Sequence, residues 1–227
     1  MCYTRDEENL IILCSFNGLT YKTRYKLLEG LEKAEPDFVK YRDALIKNYG
    51  DGVYNKVEAQ FNDAEYRKKI ISSLGEKGVK CVTYFSKEYP ALLKQTDYPP
   101  LVLYCKGNLR LLNTRCFSIV GSRRTPNAVI AECKKTAGEL AKHFTVVSGM
   151  ADGGDSAAIE GALPSGNVIS VLAYGFDYFY PAVNEQLIKK VEKSGLLVTE
   201  FTPDTSPKAY LFPIRNRIIA GLSEGTL

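Results

Sequence analysis

From residue 116 onward the chain repeats one pattern: a short β-branched run, a glycine-bearing turn, then a longer amphipathic stretch. The apolar runs at 116–120, 144–148, 168–173 and 196–201 predict strands. The stretches at 126–142, 154–163 and 182–194 predict helices. Strands this short and this apolar bury both faces only inside a parallel sheet with helices packed against it, so the expected fold class is α/β, a doubly wound parallel sheet. Ligands of such sheets bind outside the carboxyl ends of the strands. A further helix is expected over 215–222. Gly225-Thr226-Leu227 then opens what reads as the next strand, so the final strands of the sheet are expected to be missing from this sequence.

Residues 1–75 carry a different signal. Apolar residues recur at helical spacing around 10–16, 25–31, 38–46 and 53–61, punctuated by Gly18, Gly30, Pro36, Gly50 and Gly52. This predicts a small helical bundle ahead of an α/β domain over 76–227. Two additional strands are expected at 79–85 and 101–105.

Bulk properties narrow the function classes. No run approaches the roughly 18 apolar residues of a membrane span. Residues 1–8 are charged and lack an apolar core, so the expectation is a cytoplasmic protein without a signal peptide or membrane partner. Of the six cysteines (Cys2, Cys14, Cys81, Cys105, Cys116 and Cys133) no two have metal-ligand spacing. With one histidine, His143, zinc is not expected. Cys81, Cys105 and Cys116 fall in strand-like runs and read as reduced buried thiols. The net charge of +4 is too small for general coating of nucleic acid. A local basic pocket is compatible with it.

Two arginine-bearing loops supply that pocket. In Ile119-Val120-Gly121-Ser122-Arg123-Arg124-Thr125-Pro126, Gly121 permits a tight strand-to-helix turn. Thr125 is expected to cap a helix with Pro126 at its first position. The free N–H groups of such a turn face an anion, and Arg123 and Arg124 add guanidiniums suited to phosphate. The second and third glycines of a dinucleotide fingerprint are absent, and so is the Gly-Lys-Ser/Thr of a Walker loop. The second loop leads into the last helix, with Lys208, Tyr210 and Phe212 ahead of Arg215, Asn216 and Arg217. Cations interleaved with aromatics suit a single strand, whose phosphates and unstacked bases are read together. Between them lies Ser148-Gly149-Met150-Ala151-Asp152-Gly153-Gly154-Asp155, whose Gly149 allows close backbone approach. Asp155 there either caps a helix or orders the pocket. The aromatic loop 175–181 closes the same rim, as packing or as a stacking surface.

Catalytic constellations are not legible. His143 has no partner set, and Asp152, Asp155 and Asp177 sit at expected helix starts where capping is the ordinary role. No cofactor is expected.

These motifs in this order resemble the DNA-processing protein A family (DprA, also called Smf). The resemblance runs through Tyr89-Pro90-Ala91-Leu92-Leu93, 99–104, 106–109, Gly121-Ser122-Arg123, Ser148-Gly149-Met150-Ala151 and Tyr180-Pro181-Ala182-Val183-Asn184. It ends in Phe212-Pro213-Ile214-Arg215-Asn216-Arg217, close to a family signature. The resemblance implies an extended Rossmann domain after a sterile-alpha-motif-like helical domain, and a cytoplasmic homodimer that is not an enzyme. It implies single-stranded DNA as ligand, protected during natural transformation and passed to a RecA-type recombinase. It places the DNA pocket on Arg123, Lys208 and Tyr210, with Arg215, Asn216 and Arg217 on its floor.

The sequence departs from the family pattern in three places. Asp152 stands where a basic residue is common, Gly154 where isoleucine is usual, and Ile159 where histidine is common. The final strands, and with them the family's dimer surface, are expected to be missing from this sequence. Two other readings compete: a nucleotide-sensing Rossmann domain of bacterial defence, and a nucleotide-processing enzyme resembling the phosphoribohydrolases. The latter's Pro-Gly-Gly-x-Gly-Thr loop is absent.

Overall fold

The computed structural model describes residues 3–31 and 34–227; Cys2 lies outside them. Five helices come first: α1 (Arg5–Ser15), α2 (Tyr21–Leu27), α3 (Arg42–Tyr49), α4 (Asp51–Asn62) and α5 (Ala64–Glu76). Helix α1 opens on a capping box in which the Thr4 hydroxyl accepts from the Glu7 N–H and the Glu7 carboxylate accepts from the Thr4 N–H. Its Leu10, Ile11, Ile12 and Leu13 are fully buried. A helix apolar on all sides belongs at the centre of its layer, and α1 lies between α4 and α5 on one side and β1 and β2 on another. Helix α5, capped by Asp63, extends the helical region beyond the apolar clusters that the sequence reading singled out.

A six-stranded sheet follows, built from β1 (Lys80–Thr83), β2 (Val102–Gly107), β3 (Cys116–Ser118), β4 (Thr145–Ser148), β5 (Val168–Val171) and β6 (Leu196–Thr199), with α6 (Ala91–Lys94) between β1 and β2. The order across the sheet is β1-β2-β6-β5-β4-β3. Strands β3 to β6 are parallel neighbours, and β1 and β2 add on antiparallel at the β6 side. The sheet is therefore mixed rather than wholly parallel. The strands are shorter than their apolar runs because the chain leaves the ladder near the carboxyl edge to form loops.

Side chains alternate across the sheet as the pleat requires. One face carries Val146, Val168 and Leu197 against the helices α7 (Asn127–Leu140), α8 (Gly154–Ala162) and α9 (Glu185–Ser194). The other carries Val147, Ile169 and Val198 against α6 and α10 (Leu211–Gly221). The bundle core runs on into Cys81, Val102 and Tyr104 of β1 and β2, so the bundle continues the helical layer past α9.

Helix α10 begins at Leu211, four residues before the expected start. Pro213 suggests a later start but occupies the first turn, where its missing N–H leaves no helical bond unmade. After α10 the chain has crossed beneath the sheet to the outer edge of β3. There Thr226 bridges Ser118 in parallel register, and the Ser118, Val120 and Leu227 N–H groups complete the ladder. The strand order thus reverses at β3, creating a switch point where a crevice opens.

The thiols of Cys14, Cys81, Cys105 and Cys116 are buried and free, and Cys133 is half-buried. Among the described residues no helix is long and apolar enough to cross a membrane.

Candidate functional site

A cleft of about 490 Å³ lies at the switch point. Its walls come from the carboxyl ends of the parallel strands and from one side of α10. Ser118 ends β3, Gly121 and Arg123 follow it, Asp155 lies in the first turn of α8, and Phe212, Arg215 and Asn216 belong to α10.

The turn after β3 is fixed by glycine against glycine. A Cβ on Gly121 would lie 2.7 Å from the Gly154 Cα, and one on Gly154 would meet the Gly121 backbone as closely. Gly154, a departure from the family pattern, is thus the residue that lets α8 abut the turn. The Gly154 N–H donates to the Ser122 carbonyl at 3.0 Å. Thr125 does not cap α7: its hydroxyl donates back to the Ser122 carbonyl at 2.6 Å, and Pro126 holds the cap position. Thr125 thereby ties off the turn itself. Helix α7 has no side-chain cap, which leaves its first-turn N–H groups available to an anion; at α10 the Leu211 N–H is taken by the Lys208 carbonyl and Pro213 has none.

Asp155 orders the pocket rather than capping a helix. It sits in the first turn of α8, and its Oδ1 accepts from the Gly121 N–H at 3.2 Å. Its Oδ2 lies 3.9 Å from the Arg215 guanidinium, with both side chains buried. Burial pushes the Asp155 carboxyl above its ordinary range, against the pull of the Gly121 N–H and Arg215. Burial likewise lowers the pKa of Arg215, against the pull of Asp155. Arg215 also donates to the Val171 carbonyl and, through Nε, to Asn216 Oδ1 at 3.2 Å. Gly149 lies beneath the pair, and a side chain there would collide with both partners.

Arg123 is the exposed cation of the cleft. Its guanidinium lies 5.2 Å from the centre of the Phe212 ring. Phe212 in turn meets Tyr180 at 5.6 Å between ring centres.

The predicted residues divide accordingly. Gly121, Arg123, Phe212, Arg215 and Asn216 line the cleft, with Gly149 below them. Ser122 and Arg124 turn to a separate depression beside α7. Lys208 and Tyr210 are exposed on the segment leading into α10 and line neither. Arg217 points away and pairs with Glu200 at 2.5 Å. Asp155 carries more of the site than the sequence reading gave it, because an acidic residue in a first helical turn reads as a cap. Among the described residues no cluster of side chains suits a metal ion.

A family model described as DNA recombination-mediator protein A matches residues 80–227. The DNA processing protein DprA of Bacillus subtilis is 36% identical over 166 residues, covering 70% of this chain and 54% of that protein. The chain spans about half the length of the curated relatives it matches. The crystal structure of DprA from Streptococcus pneumoniae superposes with a TM-score of 0.79 at 30% identity, covering 100% of this chain and 77% of that one. A DprA structure from Helicobacter pylori, described for its single-stranded DNA binding mode, gives a TM-score of 0.60 at 31% identity over 65% of this chain and 67% of that one.

Proposed function

Because this chain belongs to the DNA recombination-mediator protein A family, we propose that it binds single-stranded DNA in the switch-point cleft and passes the strand to a RecA-type recombinase. The observation that carries this reading is the Arg123 guanidinium stacked on Phe212 at the cleft mouth. A phosphate on Arg123 and a base against Phe212 satisfy both halves of a nucleotide at once. The uncapped start of α7 supports the phosphate, and the buried Arg215 adds positive potential from below.

The reading assigns the chain a cytoplasmic binding role and no reaction. Asp155 is the carboxylate of the cleft, and it is already committed to the Gly121 N–H and Arg215. Residues 1–75 act as a helical domain that flanks the DNA-binding domain over 76–227 and shares core with its first two strands.

The test is a titration with fluorescent single-stranded oligonucleotide, duplex and mononucleotides at two salt concentrations. Binding that prefers single strands and weakens with salt is expected. Stabilisation by mononucleotides without oligonucleotide binding would replace this reading with a nucleotide sensor.

A further inference from the structure

The loop from β5 to α9 exposes more aromatic surface than its fold requires. Tyr178, Phe179 and Tyr180 are consecutive and are 38%, 44% and 39% exposed. Single exposed apolar residues are ordinary, but three adjacent rings form a patch that marks an interaction site.

The loop that carries them is held on a fixed frame. The buried Tyr174 donates its hydroxyl to the Tyr180 carbonyl and accepts from the Tyr180 N–H. The Gly175 N–H donates to the Thr205 carbonyl at 2.8 Å, and the Asp177 N–H to the Pro203 carbonyl at 2.9 Å. The Asp177 carboxylate pairs with Lys77 at 2.6 Å. Rings presented by a braced loop lose little freedom when they bind.

The patch is continuous with the cleft. Arg123 stacks on Phe212, Phe212 meets Tyr180, and at the far end the Lys189 ammonium lies 5.4 Å from the centre of the Phe179 ring. The loop thus meets the cleft through Tyr180 and has a cation, Lys189, on the ring of its neighbour Phe179. Lys189 also pairs with Glu185, an exposed contact that costs little to exchange for a phosphate.

We propose that a single DNA strand leaving the cleft at Arg123 continues over this loop, its bases stacked on Tyr178, Phe179 and Tyr180 and its backbone carried toward Lys189. The inference rests on the single-strand reading above and adds a second, base-stacking stretch to it.

The test compares oligodeoxythymidylates of roughly 4 and 16 nucleotides, the span of site sizes for such surfaces, by fluorescence anisotropy. The proteins are the unaltered chain, the double variant Tyr178→Ala/Phe179→Ala, Phe179→Leu and Arg123→Ala. The long oligomer is expected to lose about fivefold or more in affinity for the double variant, while the short one, held in the cleft, keeps its affinity. Phe179→Leu keeps the apolar bulk without the ring and should also lose affinity for the long oligomer. An abasic oligomer of the same length, which also loses the base on Phe212, should bind the unaltered chain more weakly still than the natural one binds the double variant. Equal affinity of the folded double variant for the long oligomer, with Arg123→Ala still impaired, overturns the stacking stretch and leaves the cleft reading standing. Failure of both lengths to bind the unaltered chain overturns both.

Discussion

The Arg215 guanidinium and the Asp155 carboxylate stand 3.9 Å apart in the space above Gly149, and both side chains are almost wholly withdrawn from solvent. Five segments meet at this pair, Asp155 itself coming from α8. Asp155 holds the Gly121 N–H after β3, Arg215 holds the Val171 carbonyl at the end of β5, Gly149 follows β4, and Arg215 itself comes from α10. Burial disfavours both charges, as the opposed shifts of the two groups record. A pair in that condition contributes little to stability and much to geometry. It sets the position of α10, and with it Phe212 and Asn216, relative to the β3 turn.

Gly149→Ala tests the space beneath the pair. A Cβ there would lie 2.6 Å from one Arg215 nitrogen and inside contact distance of the Asp155 carboxylate. Neither side chain can retreat, since each is hydrogen-bonded to a different strand end. The expected outcome is a loss of about 1–3 kcal/mol in urea unfolding, the range for overpacking a filled site. DNA affinity should fall in the same variant. Unchanged stability would mean that the pair is not locked.

The sheet was legible because each strand and crossover helix carries its own period, and the turns at Gly121 and Gly149 carry their own glycines. The edge pairing of β1 and β2 was not, since an apolar run such as Leu101–Cys105 does not state the direction of its neighbour. Arg215 and Arg217 show the limit at the site. They lie two apart in sequence and so on opposite sides of a helix, but only the fold shows that one meets Asp155 in the cleft and the other Glu200 behind it. The two roles open to Asp155 were not separable for a related reason: its partners are far away in sequence.

Arg123→Ala should weaken single-strand binding irrespective of base sequence. Arg123 is exposed and makes its one recorded contact with the Phe212 ring, so its loss should leave the fold intact. Removing one neutralised phosphate should reduce the slope of log affinity against log salt by about 0.7. Thermal unfolding checks the fold and titrations at several salt concentrations check the slope. An unchanged slope would remove Arg123 from the phosphate path.

Glu200→Gln should destabilise the chain while leaving the cleft lining in place. Glu200 is buried at the end of β6 and pairs with Arg217. Burial raises its pKa, against the attraction of Arg217 and then Arg24. One oxygen of Glu200, one nitrogen of Arg217 and Arg24 Nε have no partner among the described residues. Neutralising the carboxylate removes the charge that attracts both Arg217 and Arg24 at this seam between bundle and sheet and leaves the half-buried Arg217 group without its counter-ion. The expected cost is about 2–4 kcal/mol, below the ~3–5 of a wholly buried pair because a quarter of the Arg217 side chain reaches solvent. Chemical denaturation measures it. A loss of DNA affinity larger than the loss of folded protein would assign the pair to the interface instead.

Asp155→Asn separates charge from shape in the cleft. Folding raises the Asp155 pKa, burial being the main cause. The folded chain therefore binds more protons than the unfolded chain between the ordinary aspartate range near 3.9 and the raised value. The penalty for burying the carboxylate is absent below the ordinary range and fully present above the raised one. Protonation also removes the one negative charge facing Arg123 and Arg215, so affinity for a thymidine oligomer, whose bases do not titrate here, should rise as pH falls from 7 through that window. The asparagine variant cannot gain that charge change, and its affinity should stay level over the same range. At pH 7 it should bind roughly fivefold more tightly than the parent, about 1 kcal/mol for one charge at a partly solvated site. Its stability at pH 7 should not fall, because the asparagine carries no burial penalty for a charge and Arg215 keeps the Val171 carbonyl. Affinity measured against pH for both proteins decides the matter: converging profiles at low pH place Asp155 in the field of the bound strand, and parallel ones exclude it.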